Sequence, residues 1–227
     1  MYKKIVALIP ARSGSREIKN KNMVKIKNKP LIYYTIKVAK KCKFLNDIYV
    51  SSEDKKILNY SKTQNVKTIK RPKKFSSSKS HPKLLVNHFI SHLIKNNYNL
   101  NDLIIYLQPT SPMRKKRDIE NSLKIMKKTK NYKCVSVTLN KKTIFKSIFL
   151  KGKKLKPVFS EKMLSLTRQE LNKTYSINGA IFAFSIKEFL KNKNFPHVNS
   201  NVYIMNEKNS LDIDSLSDLR VFKKKIK

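Results

Sequence analysis

Ile5-Val6-Ala7-Leu8-Ile9-Pro10-Ala11-Arg12-Ser13-Gly14-Ser15-Arg16, running on to Lys21-Asn22, is an apolar run that ends in a loop of small and cationic residues. The short run with β-branched residues, stopped by Pro10, predicts a buried strand. A strand that feeds straight into such a loop has the layout of a phosphate-binding turn. Small residues let backbone N–H groups approach phosphate oxygens, and nearby cations balance the charge. The spacing is neither that of a Walker loop nor the three-glycine dinucleotide fingerprint. Taken alone, the loop reads equally as an ordinary Gly-containing turn. Arg12, Arg16 and Lys21, all within ten residues, tip it toward phosphate.

Outward from this stretch the pattern alternates. Leu31, Tyr34, Thr35, Val38 and Ala39 recur at helical spacing behind Pro30, which suits a first-turn position. Asp47 to Ser52 reads as a strand, Ile57, Leu58 and Ser61 as a short helix, and Val66 to Ile69 as a third strand stopped at Arg71-Pro72. Pro82 opens a helix with Leu85, Val86, Phe89, Ile90, Leu93 and Ile94 as its stripe. Asp102 to Leu107 is a near-continuous apolar strand of the kind buried in parallel sheets. A helix over Asp118 to Met126 and strands at Cys134 to Leu139, Ile181 to Phe184 and Val202 to Met205 follow. Ser215, with Asp218 three residues on, caps a terminal helix to Phe222. Between residues 140 and 172 the period is lost, which predicts an arm. The whole commits to a doubly wound, mostly parallel α/β sheet in a single domain spanning 1–227. In such sheets ligands bind beyond the carboxyl ends of the strands, where Ser13-Gly14-Ser15, Ser51-Ser52 and Gln108 to Ser111 would lie.

With 227 residues and 40% apolar composition the chain has enough material for a real core. Its apolar runs fall far short of the roughly 20 residues that cross a bilayer, and no signal-peptide pattern precedes Pro10, so a cytoplasmic protein without a membrane span is expected. The net charge of +38 first suggests nucleic acid. However, only seven of the 52 basic residues are Arg, and the 45 Lys are scattered through nearly every segment. Uniform enrichment favours solvated faces over a nucleic-acid stripe. The scarce residues inform more. Two of the three glycines, Gly14 and Gly179, and four arginines, Arg12, Arg16, Arg114 and Arg168, fall in the segments singled out on other grounds. Cys42 and Cys134 read as buried thiols, and the His88/His92 pair reads as packing or exposed residues.

Asp212-Ile213-Asp214 is the second constellation. Alternation along an extended segment puts both carboxylates on one face and Ile213 in the core. A cation between the carboxylates and a helix N-terminal acidic pair before Ser215 account for this spacing equally well.

Six motifs now stand in order: Ile9-Pro10-Ala11-Arg12-Ser13-Gly14-Ser15 with Lys21-Asn22; Lys29-Pro30-Leu31-Ile32; Leu107-Gln108-Pro109-Thr110-Ser111-Pro112 with Arg114; Arg168-Gln169; Asn178-Gly179-Ala180-Ile181; and Asp212-Ile213-Asp214 with Asp218-Leu219. This order resembles the acylneuraminate cytidylyltransferases, the CMP-N-acetylneuraminic acid synthetase family, from about Ile5 to Arg220. The resemblance implies a Rossmann-like sheet of the nucleotide-diphospho-sugar transferase type with a dimerisation arm at about 140–175. It also implies transfer of CMP from CTP to the anomeric hydroxyl of a nine-carbon keto acid sugar, N-acetylneuraminate or a legionaminate or pseudaminate analogue. By the same resemblance Ala11, Arg12, Ser13, Gly14, Ser15, Arg16, Lys21, Asn22 and Ser80 would bind nucleotide, and Asp212 and Asp214 would hold Mg²⁺. Gln108, Arg168, Gln169, Tyr175 and Asn178 would bind the sugar, Arg168 and Gln169 from a homodimer partner. Arg12, Lys21, Asp212 and Asp214 would carry the catalysis.

The chain departs from the family pattern at Glu17 and Asn28, where Gly is usual, at Glu53, and at Ser78, where an Asp is usual. Two alternatives follow: a cytidylyltransferase for an eight-carbon keto acid sugar, or a non-catalytic, nucleic-acid-binding relative of the fold.

Overall fold

β1 (Ile5–Pro10) explains why the chain folds around it. Ile5, Ala7 and Ile9 point to one face, Val6 and Leu8 to the other, and all five are buried, so both faces of the strand need cover. The structure is a computed structural model that describes residues 2–15, 17–77, 80–195 and 197–226. After β1 come β2 (Lys25–Ile26), β3 (Lys29–Pro30), α1 (Leu31–Lys40), β4 (Asp47–Ser52), α2 (Lys55–Thr63), β5 (Lys67–Lys70) and α3 (Pro82–Lys95). Next are β6 (Leu103–Tyr106), α4 (Lys116–Thr129), β7 (Lys133–Leu139), β8 (Ile148–Lys151), β9 (Lys154–Pro157) and α5 (Glu161–Ser165). The chain closes with β10 (Tyr175–Ser185), α6 (Ile186–Asn192), β11 (Asn201–Ile204) and α7 (Leu216–Lys225).

Among the described residues, seven strands form one sheet in the order β11-β7-β10-β6-β1-β4-β5. β6, β1, β4 and β5 pair in parallel, as do β7 and β11, while β10 runs antiparallel to both β6 and β7. The chain winds outward from β1 through β4 to β5, then returns to lay β6 on the other side of β1. That reversal leaves a crevice at the carboxyl ends of β1 and β6. On one face Ile32, Ile36 and Ala39 of α1, Ile57 of α2, and Ile119, Leu123 and Met126 of α4 cover Ile5, Ala7 and Ile9. On the other, Leu85, Val86, Phe89, Ile90 and Leu93 of α3, with Ile186 and Phe189 of α6, cover Val6 and Leu8. Each fully buried aliphatic side chain contributes about 1.5–3 kcal/mol, so a charge at Ile9 or Leu8 would dismantle a face.

Local chemistry sets the ends of the elements that matter for function. Lys27 (φ 47) and Asn28 (φ 60) are both left-handed in the two-residue turn between β2 and β3, the requirement of a type I′ turn, which Asn meets readily. Ser215 caps α7 as expected, its Oγ accepting from the Asp218 N–H at 3.2 Å while the Asp218 carboxylate accepts from the Ser215 N–H at 2.8 Å. Leu219 and Phe222 of α7 pack with Ile213, Ile18, Ile26 and Leu31 in a separate small core. This core pins the acidic segment to the stretch that follows the first loop.

One expectation is corrected. Ile181 to Phe184 is only the end of β10, an eleven-residue strand that is antiparallel and irregular between Ile177 and Phe182. The Asn178-Gly179 dipeptide, which reads as a turn, is that irregularity. Within 140–172, β8 and β9 form a hairpin turned at Gly152 (φ 61), pairing with each other and, among the described residues, with no strand of the large sheet. No helix of the described residues is long and apolar enough to cross a membrane.

Candidate active site

A cleft of about 430 Å³ opens where the fold leaves the crevice, lined by Pro10, Arg12, Gly14, Ser15, Lys21, Asn22, Arg71, Ser77, Ser80, Tyr106, Gln108, Thr110, Asp212 and Asp214 among others. Its first wall is the loop after β1. The Ala11 N–H donates to the Ser51 carbonyl at 2.9 Å, extending the β1–β4 ladder one residue past the strand. Arg12 then turns out, and its Nη1 donates to the Ser77 carbonyl at 3.0 Å. Asn22 Nδ2 donates to the Arg12 carbonyl at 2.8 Å, and its Oδ1 is buried without a partner among the described residues.

Ser13 sits differently from the expectation. Its N–H (2.8 Å) and its hydroxyl (2.9 Å) both donate to Glu53 Oε1, so it is turned to β4 rather than to the cleft. Gly14 and Ser15 are the small residues that face the opening. Burial raises the Glu53 carboxyl, but hydrogen bonds from the Ser13 N–H and hydroxyl, from its own backbone N–H and from the Ser76 side chain together outweigh it and hold the group below the ordinary carboxylate range. Glu53 therefore stays ionised and clamps the loop. Arg16 lies outside the described residues, as does Ser78. Glu17 is exposed and is not among the residues lining the cleft.

The facing wall is Asp212-Ile213-Asp214. Ile213 is fully buried and its N–H donates to the Thr110 carbonyl at 2.8 Å, so alternation delivers both carboxylates to the cleft. Burial pushes the Asp212 carboxyl up, and its Oδ1 has no hydrogen-bond partner among the described residues. Lys21 joins the two walls: its Nζ donates to the Ile213 carbonyl at 2.8 Å, the Asp214 carbonyl at 3.2 Å and Asp214 Oδ1 at 3.1 Å.

Arg71, read from sequence only as the stop of a strand, is the residue that reading missed. Its buried guanidinium donates through Nη2 to the Ser51 carbonyl at 2.8 Å and lines the cleft. Burial lowers its pKa, and Glu53 opposes that shift. The signal was present, since Arg is scarce and Arg71 follows the carboxyl end of β5. Ser80 lines the cleft as expected, its hydroxyl bound to the Lys74 carbonyl at 2.8 Å.

Gln108 stands at the junction with a second pocket of about 240 Å³ that also holds Tyr106, His81, Phe182, Phe195 and His197. The other sugar-site residues read from the resemblance lie elsewhere. Asn178 is a correction: it is buried, accepts from Ser136 Oγ at 2.6 Å and donates to Ser210 Oγ at 3.1 Å, so its amide braces the β10 irregularity instead of lining the cleft. Tyr175 is half-exposed beside Leu139, away from both pockets, and Arg168 and Gln169 are exposed on the arm. The His88 ring lies against Phe75 and the His92 ring against Tyr49, and both thiols are buried.

A cationic loop at the switch point of a doubly wound α/β sheet thus faces two carboxylates, at the place where sheets of this kind bind ligands. Residues 6–170 match the model of a family described as Cytidylyltransferase, and the chain belongs to that family. It is 30% identical over 229 residues to N-acylneuraminate cytidylyltransferase of Escherichia coli O18:K1:H7 (strain RS218 / NMEC), a match covering 97% of this chain and 52% of that protein. It is 29% identical over 220 residues to CMP-N,N'-diacetyllegionaminic acid synthase of Legionella pneumophila (strain Philadelphia 1), covering 95% of this chain and 93% of that one. The chain spans about half the length of the acylneuraminate relatives it matches. A solved CMP:2-keto-3-deoxy-manno-octonic acid synthetase superposes with a TM-score of 0.67 at 15% identity over 98% of each chain, a likeness of fold.

Proposed function

We propose that this chain transfers CMP from CTP to the anomeric hydroxyl of a nine-carbon keto acid sugar. The attacking oxygen bonds the α-phosphorus, the bond to the bridging oxygen breaks, pyrophosphate departs, and the hydroxyl proton is released to solvent. One observation carries the reading: Lys21 ties a cationic loop to a pair of carboxylates across a single cleft, which meets a second pocket at Gln108. Arg12, Lys21 and Arg71 line that cleft and supply charge for a triphosphate, with Gly14 and Ser15 leaving room for phosphate at the loop. Asn22, with a buried Oδ1 unpartnered among the described residues, holds the Arg12 carbonyl and so the loop's course.

Asp212 and Asp214 fit Mg²⁺: both are hard oxygen donors, and the buried Oδ1 of Asp212 has no proton donor among the described residues. Bound there, the ion supplies charge neutralisation at the reacting phosphate. The second substrate is placed in the aromatic pocket beyond Gln108, completed by Arg168 and Gln169 from the arm of a second copy in a homodimer.

The test is pyrophosphate release with CTP, Mg²⁺ and a panel of N-acetylneuraminic, legionaminic, pseudaminic and eight-carbon keto acid sugars, with ATP, GTP and UTP as controls. Turnover restricted to CTP and a nine-carbon sugar is expected, and Asp214→Asn should abolish it while the fold persists. Turnover with the eight-carbon sugar alone would replace the substrate class. Full activity in Asp214→Asn would defeat the metal assignment.

A further inference from the structure

Gly179 lies in the irregularity of β10 at φ 69. An ideal Cβ on it would run into the side-chain amide oxygen of Gln108, and would stand 3.4 Å from Gln108 Cδ and 3.7 Å from Asp212 Oδ2. The Gln108 amide is thus seated directly on the bare Cα of residue 179. The amide itself makes no hydrogen bond with the described residues, so none of them holds it in this seat by a polar contact. The backbones on either side are fixed. The buried Arg114 donates through Nη2 to the Gln108 carbonyl at 2.7 Å and through Nε to the Ala180 carbonyl at 2.8 Å, so one guanidinium sets the gap between the two segments. Thr35 Oγ1 adds a longer contact to the Gln108 carbonyl at 3.5 Å.

The geometry points to Gly179 as a positioning residue for the second substrate: the absent Cβ seats the Gln108 amide at the mouth shared by the two pockets. The inference rests on the reading of Gln108 as a sugar contact. A methyl at 179 meets the far end of a flexible side chain, so the amide gives way before the backbone does. The fold survives with the strain of a left-handed Ala, while the amide leaves its seat.

The experiment compares wild type, Gly179→Ala, Gln108→Ala and the double variant in pyrophosphate release, using CTP and whichever of the panel sugars wild type turns over best. Gly179→Ala is expected to raise KM for the sugar about tenfold, the loss of one hydrogen bond, and to leave KM for CTP unchanged. The double variant should be no worse than Gln108→Ala alone, since the side chain that clashes is gone. Backbone strain acting by itself would lower the melting temperature equally in both backgrounds, and additive losses of sugar KM would overturn the assignment. A crystal structure of Gly179→Ala decides independently of turnover. A displaced Gln108 amide supports the seat, whereas an unmoved amide over a shifted β10 overturns it. A wild-type chain inert toward the whole panel would sink the proposed function and leave that structural outcome to decide the seat.

Discussion

Asp212 carries a strain that the rest of the site explains. Burial is the first cause of its raised carboxyl pKa, with the Asp214 charge adding and the Thr110 hydroxyl and Lys21 opposing. A carboxyl raised in the folded state binds its proton more tightly there than in the unfolded chain, so the ionised group lowers folding stability as pH climbs past the unfolded value of about 3.9. Asp212→Asn removes that penalty in the metal-free protein. Its melting temperature should exceed wild type at pH 7 and converge with it below about pH 3.9, as differential scanning calorimetry would show. A variant that melts below wild type at pH 7 would mean that Asp212 is not destabilised by burial. Glu53 has the opposite sign: its lowered pKa means its stabilisation holds above the ordinary carboxylate range and is lost as pH falls through the lowered value. The aspartate pair was legible because Ile213 between its members marks the face. The Glu53 clamp on Ser13 and the Arg71 bond to Ser51 were not, because they join residues 40 and 20 positions apart across neighbouring strands.

At the scale of elements, legibility follows the sheet. β1 and β6 read correctly because a strand covered on both faces must be a short apolar run, and β4 because Ile48-Tyr49-Val50 forms an apolar, β-branched and aromatic centre before Ser51-Ser52. β10 was truncated in that reading because Asn178-Gly179 carries turn chemistry, and only the buried bonds from Asn178 to Ser136 and Ser210 turn it into an interruption within a strand. The hairpin of β8 and β9 shows no periodicity because it has no core face: Phe149 is 60% exposed, Leu150 75% and Leu155 57%. Such a surface asks for a cover, and the homodimer proposed above supplies one. Leu150→Asp is expected to give a monomer by analytical ultracentrifugation, with sugar turnover lost and CTP affinity kept, because the cleft proposed for the nucleotide is lined by residues of one chain. An unchanged sedimentation coefficient together with full turnover would remove the arm from both roles.

For the molecule as a whole, the net charge of +38 must either be read by a partner or act as a field. A nucleic-acid surface needs clustered cations, and a chain that neutralised several phosphates at once would bind with a steep slope of log K against log salt. A distributed field instead attracts any polyanion and is screened over about 10 Å at 0.1 M salt. The cleft would separate these effects, because Arg12 and Arg71 are held by backbone carbonyls of their own chain and Lys21 by the acidic wall, so the contacts proposed for them with a triphosphate would not depend on long-range attraction. Raising salt from about 0.05 to 0.5 M should therefore reduce kcat/KM for CTP about tenfold through the encounter step, with kcat nearly constant. A collapse of kcat over that range would place the bound triphosphate on exposed lysines rather than in the cleft. Generic duplex DNA should compete with CTP only at the low end of the range, where the field of the whole molecule, and not the cleft, is what it feels.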